Sequence, residues 1–343
     1  MTSNTEMTRN AEFLAHRYDE TSDAFQFVAL DREQHRRCTF LTDEYIPAQS
    51  RRTMIEAKDI NLKPETLAPV DFVFHSAFAC STMMARALDI DGVSMGLKEP
   101  IVLNDLVGMK RRGAAPARLN QILQQSVDLL ARPFSSGEKI IIKPSNVVNC
   151  LAPSILKLRP DSKALFLHAP LKSFLRSLAA KNMWGRIWAR ENMIGIMDDG
   201  DLIGGFTSAD LLRLTDIQVA AVAWLSEHAR FAKMIDQFGG DRIKSLDSEV
   251  FLRNKQATIA RISSFFTLNL GEKQIDRIVA GPAFTQHSKD FSKFDTTARL
   301  DQHSNVQDSN GEEIDMVVQW AAAVADSQNL SLDLPAPLLS SQE

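Results

Sequence analysis

The sequence has no excess of basic charge, no glycine-rich loop ending in Gly-Lys-Ser/Thr, no long apolar run and only three cysteines. Each lack removes a class of function. A formal net charge of −4 gives nucleic-acid binding no global electrostatic support. Cys38, Cys80 and Cys150 stand far apart, so they form neither a metal-ligand pattern nor a disulfide framework. Such cysteine usage suits a reduced, cytoplasmic protein. The first twelve residues are polar and lack the apolar core of a secretory signal, and no run is long enough to span a bilayer. A membrane partner is therefore not expected. Asp198-Asp199-Gly200-Asp201 lacks the spacing of a calcium loop and reads as a solvated turn. No metal is expected, and no internal repeat is visible. At 343 residues the chain suffices for one large α/β domain or two small ones.

What is present centres on the stretch from Phe72 to Asp89. Phe72-Val73-Phe74 reads as a short buried strand, His75 to Cys80 as a loop of mostly small residues, and Ser81 onward as a helix with apolar groups at helical spacing. A strand, a small-residue loop and a helix opening in Ser81-Thr82 make a phosphate cradle. Loop amides can approach an anion, the helix start adds partial positive charge, and two hydroxyls add donors. The same pattern also describes an ordinary strand–turn–helix unit. It is not a nucleotide-hydrolase loop: His75 and Cys80 stand at that motif's glycine positions and Ser81 at its lysine, and only Thr82 matches.

The stretch resembles the sulfate-cradling loop of sulfotransferases, nearest the branch of tyrosylprotein sulfotransferases and their bacterial relatives. That family sets two hydroxyl residues where nucleotide hydrolases have Lys-Ser/Thr, and its helix continues as Arg86-Ala87-Leu88-Asp89 does here. The family's basic residue and Ser-Gly before the hydroxyls are replaced by Phe78-Ala79-Cys80. The resemblance implies that Ser76, Phe78, Ala79, Cys80, Ser81 and Thr82 line the 5′-phosphosulfate of the co-substrate 3′-phosphoadenosine 5′-phosphosulfate.

Later segments follow the same order. Glu99 precedes Pro100, which suits a helix's first turn, so Glu99 is expected at a helix entrance. It is a helix cap on one reading. On the resemblance it is the general base. Ile140-Ile141-Ile142 reads as a buried parallel strand with Lys143 at its carboxyl end, where open α/β sheets place ligands. In the relatives this lysine binds the sulfate region. Ala164 to Leu167 is another strand, and the relatives then carry an arginine and a helical serine that hold the donor's 3′-phosphate. Here His168 takes the arginine's place and Ser177 falls one residue late, with Lys172 nearby. A neutral histidine binds phosphate less strongly than a guanidinium. Lys289 lies in a basic loop that would close over the donor's phosphates. Trp184 and Trp188, at helical spacing, are read as core packing.

The expected fold is α/β, a doubly wound, mainly parallel sheet with helices on both faces and a P-loop-like cradle. Residues 1–68 are expected as an N-terminal extension packing on the core, 69–305 as the sulfotransferase-like domain, and 306–343 as a C-terminal helix and mobile tail. The function implied is sulfuryl transfer to a hydroxyl or amine on a small-molecule or peptide acceptor, with Glu99 and Lys143 as catalytic groups. Two rivals stay open: a nucleotide-binding, kinase-like protein, and an interaction protein that kept the fold without the chemistry. The oligomeric state is not legible.

Overall fold

The computed structural model describes residues 3–286 and 296–340, with side chains from 311 onward in the second stretch. Eight strands fall within these residues: β1 Phe13–Asp19, β2 Ala24–Ala29, β3 Arg52–Glu56, β4 Val70–His75, β5 Ser94–Lys98, β6 Lys139–Lys143, β7 Ala164–His168 and β8 Ile243–Asp247. The first three form an antiparallel sheet in chain order. The other five form a mostly parallel sheet in the order β5-β6-β4-β7-β8, flanked by helices. The first strand of this sheet is central and successive strands add on either side of it, the doubly wound arrangement whose ligand crevice lies at the strands' carboxyl ends.

The chain divides into two compact units, Met1–Phe74 with Ser81–Ala164 and Ile262–Ser292, and His75–Cys80 with Leu165–Arg261 and Lys293–Glu343. In the first unit β4 is buried at every residue from Val70 to Phe74, and so are Ile140, Ile141 and Ile142 of β6. These apolar runs have no alternation because both faces of a parallel sheet are covered. Asp71, on β4, is paired with Lys139 of β6 at 2.8 Å and accepts the Lys163 amide at 2.7 Å, so a buried carboxylate ties neighbouring segments together. The N-terminal segment is tied down by Arg132. Its buried guanidinium donates to the carbonyls of Met7, Asn10 and Phe13 at 2.8–3.0 Å. Burial without a carboxylate pulls its pKa down to about 9.

β5 was not anticipated, and it moves Glu99 from a helix entrance to a strand end. The helix begins later, at Val102–Arg111. The sequence Ser94-Met95-Gly96-Leu97-Lys98 lacks the β-branched signature, yet all five residues are buried. Gly96 is required by contact: a Cβ there would stand 2.5 Å from the Ala85 carbonyl oxygen of the helix Ser81–Ala87. That close approach lets the helix after the cradle lie on the strand.

In the second unit the long helix Asp216–Phe238 opens with a reciprocal cap between Thr215 and Gln218 and stops at Gly239, whose φ of 84° favours glycine. The C-terminal tail, expected to be mobile, instead pairs along β8. The Ser245 amide donates to the Ala336 carbonyl at 3.0 Å and the Leu338 amide to the Ser245 carbonyl at 2.8 Å. Leu334 and Leu339 are buried. The helix before the tail starts earlier than expected, at Thr296–Ser327.

Candidate active site

The loop between β4 and the helix Ser81–Ala87 holds three non-glycine residues in the left-handed region: Ala77 at φ 62°, Phe78 at 49° and Cys80 at 58°. Each costs on the order of 1 kcal/mol in an L-residue, so the surroundings must over-determine the loop. Within the second unit they do. The Ala77 amide donates to His75 Nδ1 at 3.0 Å, the Ser76 amide to the Leu167 carbonyl at 3.2 Å, and the Ala169 amide to Ser76 Oγ at 3.3 Å. Phe78 locks the loop's crown, its ring edge-on to Phe174 at 5.7 Å and to Trp188 at 5.2 Å. Phe78, where the sequence resemblance implies a cation, is thus an apolar anchor, and the Ser76 hydroxyl is engaged in holding the loop. Ala79 is buried, and Cys80 is half-buried and in no disulfide. Ser81 and Thr82 are buried at the first two positions of the following helix, in the first unit.

The clearest constellation also lies in the first unit. β5 and β6 are parallel and in register, Lys98 opposite Lys143. Both strands therefore end together. Lys143 Nζ donates to Glu99 Oε1, and the Glu99 amide donates to the Lys143 carbonyl at 2.7 Å. Glu99 sits at φ 52°, also in the left-handed region. Its strain is held by a backbone clamp: the Leu41 amide donates to the Lys98 carbonyl at 2.7 Å, and the Ile101 amide to the Leu41 carbonyl at 3.2 Å. The lysine side chain is 1 % exposed and the glutamate 19 %, so solvent reaches only the carboxylate. Phe40 lies under the ammonium, 5.3 Å from Nζ. Sequence reading missed Phe40 and Leu41. They come from the N-terminal segment, and no local pattern links an isolated Phe-Leu to a lysine a hundred positions later.

The residues expected at the 3′-phosphate all lie in the second unit. His168 ends β7, buried, its ring edge-on to His228 at 5.0 Å. Burial pulls its pKa down to about 4, so at neutral pH it is an uncharged imidazole. His228 in turn stacks on Trp224, whose indole N–H donates to the Ala169 carbonyl at 2.9 Å. Lys172 is ion-paired with Asp315 at 2.6 Å. Ser177 is half-buried in the helix Leu171–Ala179. Lys289 lies outside the described residues. Trp188 does pack internally against Phe78. Trp184 does not: it is exposed.

No protein-family model matches the chain, and no curated protein does. Solved structures do. Sulfotransferase STF9 from Mycobacterium avium matches at 12% identity over 71% of this chain and 77% of its own, with a TM-score of 0.40. The sulfotransferase domain of the curacin biosynthetic pathway matches at 14% identity over 80% and 94%, TM-score 0.40. The sulfotransferase domain of the Synechococcus PCC 7002 olefin synthase matches at 12% over 69% and 86%, TM-score 0.34. Scores at this level do not decide function, so the site is read from its own residues. Among the described residues, no helix is long and apolar enough to cross a membrane, and no cluster of His, Cys, Asp and Glu is placed to hold a metal.

Proposed function

We propose that the protein is a sulfotransferase-like enzyme that moves a sulfuryl group from 3′-phosphoadenosine 5′-phosphosulfate to a hydroxyl or amine acceptor. The observation that carries the reading is the Glu99–Lys143 pair at the carboxyl ends of adjacent parallel strands, with Glu99 in strained backbone. Strain of this kind persists where the surroundings enforce it and concentrates at active sites.

When bound, the donor supplies an activated sulfuryl group on a phosphate leaving group. The protein's part is positioning and charge. Glu99 Oε takes the acceptor proton, and its partial exposure lets an acceptor reach it. Lys143 holds that carboxylate in place. Once Glu99 is protonated, the pair changes from neutral to a net positive charge, in the direction that stabilises an anionic leaving group. Ser81 and Thr82 donate hydroxyl hydrogen bonds to the donor's 5′ end. The roles of Ser76, Phe78, Ala79, Cys80, His168, Lys172, Ser177 and Lys289 rest on the sequence resemblance alone. His168, neutral, would act only as a hydrogen-bond partner. The acceptor stays a small molecule or a peptide.

One observation favours a second reading, an interaction protein without chemistry: Phe78 and His168, which stand where the family has cations, are both tied inward. The discriminating experiment is a thermal-shift titration with 3′,5′-adenosine bisphosphate beside ATP–magnesium, followed by transfer from labelled donor to an acceptor panel. A shift with the bisphosphate and transfer that falls in Glu99→Gln support the enzyme. No shift with either nucleotide supports the interaction protein, and a shift with ATP–magnesium alone points to a kinase-like activity.

A further inference from the structure

A cavity lies wholly within the first unit, with a volume of about 550 Å³. Its walls come from the N-terminal helix Arg32–Arg37, the C-terminal half of the helix Ser81–Ala87, the end of β5, and the helix Glu272–Ala280 with the turn that follows. Four cations face it: Arg36, Arg86, Lys98 and Arg277. Two acids do, Asp89 and Asp91.

The acids are already neutralised. Asp89 pairs with Arg32 at 3.1 Å and Arg36 at 3.3 Å, and Asp91 with the same two arginines at 3.1 and 2.6 Å. Lys98 is different. It is 3 % exposed, and among the described residues the one group that hydrogen-bonds its ammonium is the Arg36 carbonyl, at 2.8 Å. Among the described residues no carboxylate lies within ion-pair distance of it. Its register partner Lys143 has Glu99, whereas Lys98 has a cavity. Burying an ammonium without a counter-charge is expensive, and a fold retains one where something else supplies the charge. The cost is visible in its pKa, which burial drives down to about 8 although Asp89 acts through space to raise it. At the mouth, among the described residues, the guanidinium of Arg277 makes one hydrogen bond, from Nε to the Lys273 carbonyl at 3.1 Å, and none from its terminal nitrogens. Ile90, Ile278 and Pro282 give the rest of the wall an apolar character.

We infer that this cavity binds a tetrahedral oxyanion carried on a small organic body, a phosphate or sulfate monoester, with Lys98 and Arg277 holding the anion and the Ile90–Ile278–Pro282 wall the organic part. A volume of this size suits a small molecule. The inference does not rest on sulfuryl transfer and concerns different residues.

The test is calorimetric titration of the full chain with phenyl phosphate and with inorganic phosphate at one ionic strength. The variants are Arg277→Gln, Lys98→Met and, as a cradle control, Thr82→Ala. Saturable phenyl phosphate binding is expected, weakened at least about tenfold in Arg277→Gln and in Lys98→Met and unchanged in Thr82→Ala, the loss that one missing charged hydrogen bond brings. Arg277 is exposed on its helix, so that variant tests the site even if Lys98→Met folds poorly. Inorganic phosphate binding as tightly as the ester would assign the site to the free ion, and weaker binding to the ester. Phenyl phosphate binding that survives Arg277→Gln, that is lost in Thr82→Ala, or that never saturates overturns the inference. Loss of labelled-donor transfer has no bearing on it, so the two readings fail separately.

Discussion

Replacing Glu99 by glutamine should destabilise the first unit before it says anything about catalysis. Lys143 is 1 % exposed and its carboxylate partner 19 %. Removing one member of a buried ion pair typically costs about 3–5 kcal/mol, because the other charge stays in low dielectric. Glutamine keeps an oxygen that can accept from Nζ, and the site is partly wet, so about 2–3 kcal/mol is expected here. For a unit of this size that is a fall in melting temperature on the order of 5–10 °C. Lys143→Met removes the buried charge and leaves a carboxylate that water reaches, so its cost should be smaller, about 1–2 kcal/mol. In Glu99→Gln/Lys143→Met neither charge of the pair remains, and the double variant should melt above Glu99→Gln, a coupling of about 2 kcal/mol. The assay is thermal melting by circular dichroism of the four proteins at pH 7.5 and low salt. Turnover then separates the roles: the double variant should regain stability while transfer stays reduced about 10²–10⁴-fold for want of a base. Melting temperatures that add without coupling would refute the pair as a mutual compensation, and the catalytic proposal would lose its geometric support.

Gly96→Ala should lower the melting temperature markedly, since its Cβ would stand 2.5 Å from the Ala85 carbonyl oxygen; a melt unchanged from the parent protein would show that the helix over β5 shifts freely. Phe78→Ala should release the cradle loop by removing two edge-on ring contacts, each about 0.5–1.5 kcal/mol beyond burial, and should alter tryptophan fluorescence through Trp188; an unchanged emission spectrum would count against the anchor. Acid should weaken the fold through buried neutral histidines. His168 and His35 have pKa values drawn down to about 4 and about 3, each mainly by burial, so the unfolded chain takes up their protons first, near pH 6.5. Their stabilisation is complete above pH 6.5 and is lost as pH falls toward 4 and below, with a slope of about 1.4 kcal/mol per pH unit for each ring. Urea denaturation from pH 7.5 to 5 should show a shallower decline in His35→Met than in the parent, and an equal decline would contradict the assignment.

How far the sequence could be read follows from how the information is stored. β4, β6 and β7 are runs of large apolar residues, and such runs have one main physical use, burial on both faces of a sheet. β5 carries no such signal. Its identity depends on Gly96 fitting under a carbonyl of another element, which is a property of two distant segments at once. The tail from Leu330 to Leu339 has the Leu, Pro and Ser composition of a mobile end, yet its backbone finds unpaired groups on the edge of β8. Composition cannot announce a free sheet edge elsewhere in the chain. At the site, residue types with strong chemical roles were legible: Glu99 and Lys143 were each singled out, and the structure joins them. Their support from Phe40 and Leu41 was not legible, since an aromatic face and a backbone amide advertise nothing in sequence.

The two departures from the sulfotransferase pattern have a common physical form. Phe78, where the resemblance implies a cation, closes an aromatic cluster with Phe174 and Trp188. His168, where the resemblance implies an arginine, joins a second cluster with His228 and Trp224. Both belong to the second unit, and at both a ring that faces the core stands where the sequence resemblance implies a charge facing a phosphate. A cation held ready for a ligand must remain hydrated or paired when the ligand is absent, which costs stability. An aromatic ring in the same place adds packing whether or not a ligand is present. The first unit keeps the opposite solution: at Glu99 and Lys143 the charge is retained, and each group is the other's counter-ion. Positive charge is thus missing where the resemblance places donor phosphates, while the pair that could move a proton is present. If the protein transfers sulfuryl groups, weak donor affinity with an intact base is the expected signature: a raised KM for the donor, sensitive to Ser81 and Thr82, beside a kcat that depends on Glu99.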